Sequence, residues 1–218
     1  MLAMDKVDHK KLEIAYHETG HAVMALIFRQ RIQSISLREM DSPRGTDKYL
    51  GFTKLEPFEQ NREITINELR RRIMISLGGY ASEILASGGL AKVGGDDLTD
   101  AIKWAENMMQ SAEFRNFAAG LPIPDPGALD IIENPTVRAF IEYMICHCIE
   151  VMAQFKPIIQ VIAEELYKRE ELTGNEVSAL FNGGNGVKSL SGVGSPLTTS
   201  DAKAFSSEQP EALIVKLT

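Results

Sequence analysis

The chain has 218 residues, 44% of them hydrophobic, and a formal net charge of −7. That length and composition suit one soluble core with at most a minor appendage, and the acidic balance lacks the electrostatic footprint of a nucleic-acid binder. Two cysteines, Cys146 and Cys148, stand two apart on an expected helix and point to different faces, so they give no disulfide framework. Residues 1–11 are charged and carry no apolar signal region, and the longest apolar run, 22–28, is far too short for a bilayer. A cytoplasmic location with no transmembrane segment is therefore the expectation.

The elements read as mostly helical, with one short sheet near the front. Residues 10–29 make the first helix, and Gly20 inside it costs about 1 kcal/mol relative to Ala, which implies a close backbone approach there. Residues 34–38 read as a strand with Ile35 and Leu37 on one face, and 49–55 as a second strand after a polar loop at 40–48. Residues 65–86 repeat Ile66, Leu69, Ile73, Leu77 and Ile84 at helical spacing, interrupted by Gly78-Gly79, with Thr65 and Glu68 as a capping box. A Gly-rich connection, 87–95, leads to a third helix, 96–117, with acidic residues in its first turn. The proline-rich stretch 120–127 is a loop. Helices follow at 136–154 and 157–169, divided at Pro157, and a short last helix opens at Thr173 with Glu176 three residues on. Residues 182–200 are rich in Gly, Ser and Thr like a linker, and 212–217 form an apolar end.

His17-Glu18-Thr19-Gly20-His21 is the stretch that carries chemistry. Residues four apart share a helix face, so His17 and His21 can offer two imidazoles to one zinc ion. Glu18 follows the first ligand, as the general base for a metal-activated water requires. A third protein ligand is needed. A metzincin would place Gly and His at positions held here by Met24 and Ile27, so that arrangement fails. Glu83 on the following helix is one candidate, and the acidic residues of Gly94-Gly95-Asp96-Asp97-Leu98-Thr99-Asp100-Ala101 supply others, which helix capping explains equally well. Cys146-His147-Cys148 cannot converge on one ion, because adjacent helical residues diverge by about 100°. Arg70-Arg71-Arg72 reads as a solvated helix face, and the methionines within the helices as core filler.

Ala15-Tyr16-His17-Glu18-Thr19-Gly20-His21-Ala22 resembles the active-site helix of the FtsH-type zinc peptidases, the proteolytic domains of AAA-linked membrane proteases. Three further segments agree in order. Ile35-Ser36-Leu37-Arg38 with Leu50-Gly51-Phe52-Thr53 resembles that family's strand pair, Leu77-Gly78-Gly79-Tyr80-Ala81-Ser82-Glu83 its glycine-bearing helix, and Asp96-Asp97-Leu98-Thr99-Asp100-Ala101 the stretch that holds its third zinc ligand. The resemblance covers roughly residues 11–181. It implies zinc held by His17, His21 and Asp97, Glu18 as general base, Glu83 beside the ligands rather than on the metal, and a homo-oligomer, hexameric in that family. Departures stand beside these likenesses. No Walker-type phosphate loop occurs in these residues, so an ATPase would be a separate partner; Tyr80 replaces a usual basic residue; and the loop at 121–126 and the Gly/Ser-rich tail have no counterpart in the family pattern.

Together these readings give a mainly α protein with a small β-sheet (α+β): a zinc metallopeptidase domain over 1–181 and a tail over 182–218. The expected activity is zinc-dependent endopeptidase hydrolysis of unfolded or flexible polypeptides. An edge strand at 34–38, through Ile35, Ser36 and Leu37, would hold the substrate backbone. The alternative is a non-catalytic, regulatory domain that keeps the fold and serves as a partner subunit; the intact Glu18 argues against it.

Overall fold

Short polar side chains mark where the helices begin. The computed structural model describes residues 8–41, 48–57, 64–89, 95–122, 129 and 131–183. In chain order these form α1 (His9–Ile27), β1 (Ile32–Ser36), β2 (Met40–Asp41), β3 (Lys48–Tyr49), β4 (Phe52–Leu55) and α2 (Ile66–Ser87). They continue through α3 (Gly95–Met108), α4 (Ala112–Ala119), α5 (Pro135–Ala153), α6 (Lys156–Arg169), β5 (Glu171–Thr173) and α7 (Gly174–Gly183). Asp8, Thr65, Ser111 and Asn134 cap α1, α2, α4 and α5, each accepting from a first-turn amide that would otherwise lack a partner. Pro135 occupies the first turn of α5, where a missing N–H costs nothing. At α7, Thr173 and Glu176 form the expected box: Glu176 accepts from the Thr173 amide at 2.8 Å, and the Glu176 amide donates to Thr173 Oγ1 at 3.3 Å. At α2 the Glu68 amide donates to Thr65 Oγ1 at 3.2 Å, while the Glu68 carboxylate accepts from Arg72 at 3.1 Å.

Helix α2 is the hub, packed against α1, α3 and α5, and α6 closes over the other side of α1. The interior is filled by Phe140, Ile73, Ile141, Ile159, Ile162, Leu166 and Met24, Met74, Met108, Met144 and Met152, all fully buried. The methionines are core filler, as expected. Helices α5 and α6 meet at an 86° corner, with Pro157 in the first turn of α6. Among the described residues, no single helix is long and apolar enough to cross a membrane.

Several sequence expectations need correction. The front strand spans Ile32–Ser36 rather than 34–38, and it is the middle strand of a three-stranded antiparallel sheet ordered β4-β1-β5. Ile35 pairs with Thr53 on one side and with Leu172 on the other, so Ile35 and Ser36 do not lie at an edge. Just beyond the strand, the Leu37 amide donates to the Glu170 carbonyl at 2.8 Å. The cause is β5, a three-residue strand too short to show a period of its own. Glu170 ends α6 in the left-handed region (φ 64°) and turns the chain back along β1. The long third helix divides into α3 and α4, because Ser111 caps a new helix after the turn at Gln110. Arg70 and Arg72 are not a solvated face: Arg70 is buried and donates to His147 at 3.2 Å, and Arg72 lies over the Trp104 ring. Of the tail expected over 182–218, residues 184–218 lie outside the described residues.

The expected close approach at Gly20 is present. A Cβ built on Gly20 would lie 2.3 Å from the Gly78 carbonyl oxygen and 2.6 Å from Ser82 Cβ; one on Gly78 would lie 2.8 Å from the Gly20 oxygen. Gly20→Ala gains about 1 kcal/mol of helix propensity, but forcing a methyl into that contact typically costs about 1–3 kcal/mol and shifts backbone as well. We expect a net loss of stability in chemical denaturation; an alanine variant as stable as the parent would contradict the packing described.

Candidate active site

Helix α1 turns one face to α2, and His17 and His21 stand on it one turn apart, their rings edge to face at 4.6 Å. Room for them is made on α2 by Gly79, where a Cβ would sit 2.6 Å from His21 Nε2 and 2.7 Å from His17 Cε1. Asp97, in the first turn of α3, reaches the same point: its Oδ2 lies 3.1 Å from His17 Nε2 and 3.3 Å from His21 Nε2. A helix N-terminus favours an ionised carboxylate at that position. The two Nε2 atoms are 3.0 Å apart. Among the described residues, His17, His21 and Asp97 are the only group of three or more His, Cys, Asp or Glu that brings its ligand atoms together.

The outer nitrogens decide what this cluster can do. His21 Nδ1 lies 2.7 Å from the Ile75 carbonyl oxygen, which can only accept, so Nδ1 carries the hydrogen. His17 Nδ1 lies 2.5 Å from the Glu83 carboxylate, with the same consequence. In the neutral rings both Nε2 atoms are then lone-pair acceptors, facing a carboxylate oxygen that is also an acceptor. Three acceptors at 3.0–3.3 Å repel unless a cation or a proton lies among them. Ligand atoms around a tetrahedral ion with bonds of about 2.0–2.1 Å are separated by about 3.3 Å, so the donor set fits a small divalent metal. The Asp97 side chain is 44% exposed and that of His21 only 9%, so the cluster opens to solvent on the Asp97 side.

Glu18, 7% exposed, lies on the same helix beside this cluster, and Thr53 of β4 donates to its Oε2 at 2.7 Å. Burial raises its pKa, against the lowering pull of His21, His17 and Thr53. Burial by itself would lower the pKa of His17, but hydrogen bonds to Asp97 and Glu83 lift it to about 10; His21 is raised too, against burial, by Asp97. Burial disfavours the Asp97 charge, yet the facing histidines hold its carboxyl well below the usual carboxylate range.

The structure thus brings His17, His21, Asp97, Glu18 and Glu83 to one place and leaves Ile35, Ser36 and Leu37 out of it. Thr53 and the Ile75 carbonyl had no individual role in the sequence reading; Gly51 and Thr53 stood out only within the segment 50–53, as part of a strand, and Gly79 only as part of the Gly78-Gly79 interruption. Tyr80 is buried, its pKa pushed up to about 12 by burial, Glu83 and Cys146. Cys146 is exposed and Cys148 buried, with its thiol 3.7 Å from the Met74 carbonyl, so these two do diverge.

A helical domain that gathers two helix-borne imidazoles, a carboxylate and a buried glutamate has the make-up of a metal-dependent peptidase. The model of peptidase family M41 matches residues 4–115, just over half of the chain and the stretch that contains His17, Glu18, His21, Glu83 and Asp97, and the protein belongs to that family. Among curated relatives, the ATP-dependent zinc metalloprotease FtsH of Acaryochloris marina is 27% identical over 194 residues, covering 80% of this chain and 29% of its own length. FtsH 3 of Symbiobacterium thermophilum is 24% identical over 201 residues, covering 80% and 30%. FtsH 2 of Bdellovibrio bacteriovorus is 35% identical over 104 residues, covering 47% and 16%. The chain therefore spans less than a third of the length of these relatives.

A metal must displace whatever proton the histidines hold, and the raised pKa of His17 means that the metal-free site holds one below about pH 10. Affinity for a divalent metal should therefore rise with pH up to that point, with protons released on binding. Calorimetry in buffers of different ionisation enthalpy measures the release; uptake with none would contradict the electrostatics described.

Proposed function

We propose that this chain is a zinc-dependent endopeptidase domain, with zinc held by His17, His21 and Asp97 and with Glu18 as general base. One observation carries the reading: three acceptor atoms converge while the remaining ring nitrogens are committed to Glu83 and Ile75, an arrangement that fits a small metal ion, with a proton in its place when the metal is absent, beside a buried carboxylate. The relatives' names supply the choice of zinc. Bound zinc supplies a Lewis acid for the scissile carbonyl and lowers the pKa of water to about 7.

The chain's own residues do the rest. Glu83 and the Ile75 carbonyl hold the two rings in orientation and tautomer. Glu18, poorly solvated, takes the proton of the attacking water and returns it to the leaving amine, a role suited to a carboxyl whose pKa is raised. Substrate is expected at β4, which is an edge strand among the described residues and whose Thr53 touches Glu18. An extended peptide added there would lie beside the base, with backbone hydrogen bonds giving loose side-chain specificity. Unfolded or flexible polypeptides meet that requirement; folded ones do not. We assign the peptidase domain to residues 1–181 and a tail to 182–218. The relatives are named as ATP-dependent, and no Walker-type phosphate loop occurs in these 218 residues, so the assignment to this stretch is the hydrolytic step alone.

Glu18→Gln should retain stoichiometric zinc while hydrolysis of casein falls by about 10²–10⁴-fold. Near-normal turnover in that variant would refute the mechanism, and loss of zinc would make Glu18 a ligand. Asp97→Ala should abolish tight zinc binding, whereas Glu83→Ala should weaken it by about 10–100-fold through its loosened hold on His17. Metal analysis after dialysis against a chelator gives the ranking, and the reverse order would put Glu83 on the metal.

A further inference from the structure

The five-residue motif specifies a base but not what aims it. In the sheet register, Thr53, Ile35 and Leu172 stand side by side across three strands. Directly paired residues share a face, and Ile35 and Leu172 are fully buried, so this row points inward. Its one polar atom is the Thr53 hydroxyl, which lies 2.7 Å from Glu18 Oε2 and 3.0 Å from the Glu18 main-chain carbonyl oxygen. Gly51, two residues earlier, bounds the same side chain: a Cβ there would fall 3.1 Å from both Glu18 Cγ and Oε1, and 2.7 Å from Ile14 Cγ2. Glu18 is thus boxed by two residues of one short segment, with Thr53 at one carboxylate oxygen and Gly51 at the other.

We propose that Thr53 is the positioning residue for Glu18: its hydroxyl fixes the carboxylate in its working rotamer and ties that rotamer to the edge strand β4. The proposal rests on the peptidase reading for its catalytic consequence. A hydroxyl has one hydrogen and two lone pairs. Toward the ionised carboxylate it donates to Oε2. The same hydroxyl lies 3.0 Å from the Glu18 main-chain carbonyl, so it is anchored to the backbone of the residue whose side chain it holds. A water-accessible carboxylate obtains such a partner from solvent and a buried one does not. Because Thr53 belongs to β4, a peptide that straightens or shifts this strand would also shift the base.

The test uses the full zinc-loaded chain with Thr53→Val, which keeps the shape and removes the hydroxyl, and Thr53→Ser, which keeps the hydroxyl. Valine should leave zinc stoichiometry intact and KM within about twofold, while kcat falls about 10–100-fold, the worth of one hydrogen bond to a charged group. Serine should recover most of that loss. Unchanged kcat in the valine variant, or an equal loss in both variants, would overturn the proposal, the latter in favour of packing by the branched side chain. A thermal-unfolding cycle gives a second readout that needs no turnover. Thr53→Val should lower the Tm of the parent more than in a Glu18→Ala background, where only the neutral bond to the main-chain carbonyl remains to be lost; equal shifts would overturn the link. Should the parent cleave neither casein nor flexible peptides, the peptidase reading fails, and this cycle still decides whether the hydroxyl holds the carboxylate.

Discussion

Backbone touches backbone where α1 crosses α2, and nearly everything else in the protein is arranged around that contact. Gly20 and Gly78 leave no side chain between the helices, and each residue costs its helix about 1 kcal/mol relative to alanine. Beside that contact, side chains from one helix reach groups on the other. His17 reaches Glu83, His21 reaches the Ile75 carbonyl, and Gly79 clears the space in which both rings meet Asp97. The glycines are therefore part of the site although none of them carries a functional group.

The site in turn strains the ordinary accounting of a protein interior. Buried polar atoms are normally paired donor to acceptor, but here the inward-facing atoms of two rings and a carboxylate are all acceptors. Without a metal, the proteins' own charges adjust: the histidines bind protons more tightly and Asp97 gives its proton up more readily. With a metal those protons leave. Glu18 sits one residue from this exchange and feels the charge of both histidines, while its carboxylate is held by a partner of its own, Thr53, on a different element.

How much of this could be read from the sequence varies with distance along the chain. The helix that carries His17 and His21, the caps at Thr65 and Thr173, and the break near Pro157 are local signals, and the structure has them in place. Asp97 and Glu83 were both candidates for the third ligand on chemistry alone. The structure turns the Asp97 carboxylate toward both Nε2 atoms and the Glu83 carboxylate toward Nδ1. What local pattern could not give was tertiary pairing. Arg70 and Arg72 sit in a polar-looking run, yet His147 and Trp104 from distant helices cover them. The α3–α4 break depends on Ser111 acting as a cap, one reading among several for a serine inside an otherwise helical stretch. Thr53 looked like any strand threonine, because its partner lies on another element.

The strand at Glu171–Thr173 has a consequence for how the molecule assembles. It completes the sheet from the far end of the described chain, beyond the residues that the family model matches. Joining Leu172 to Ile35 closes a loop through α2 to α6, the longest-range strand pairing among the described residues. Closures of that range slow folding. Until α6 docks, β1 carries a bare hydrogen-bonding edge beside the nascent site, and that edge can capture a strand from another molecule. In the finished protein β1 is enclosed on both sides, so its vulnerability to strand-mediated association belongs to the period of folding and ends with the arrival of three residues.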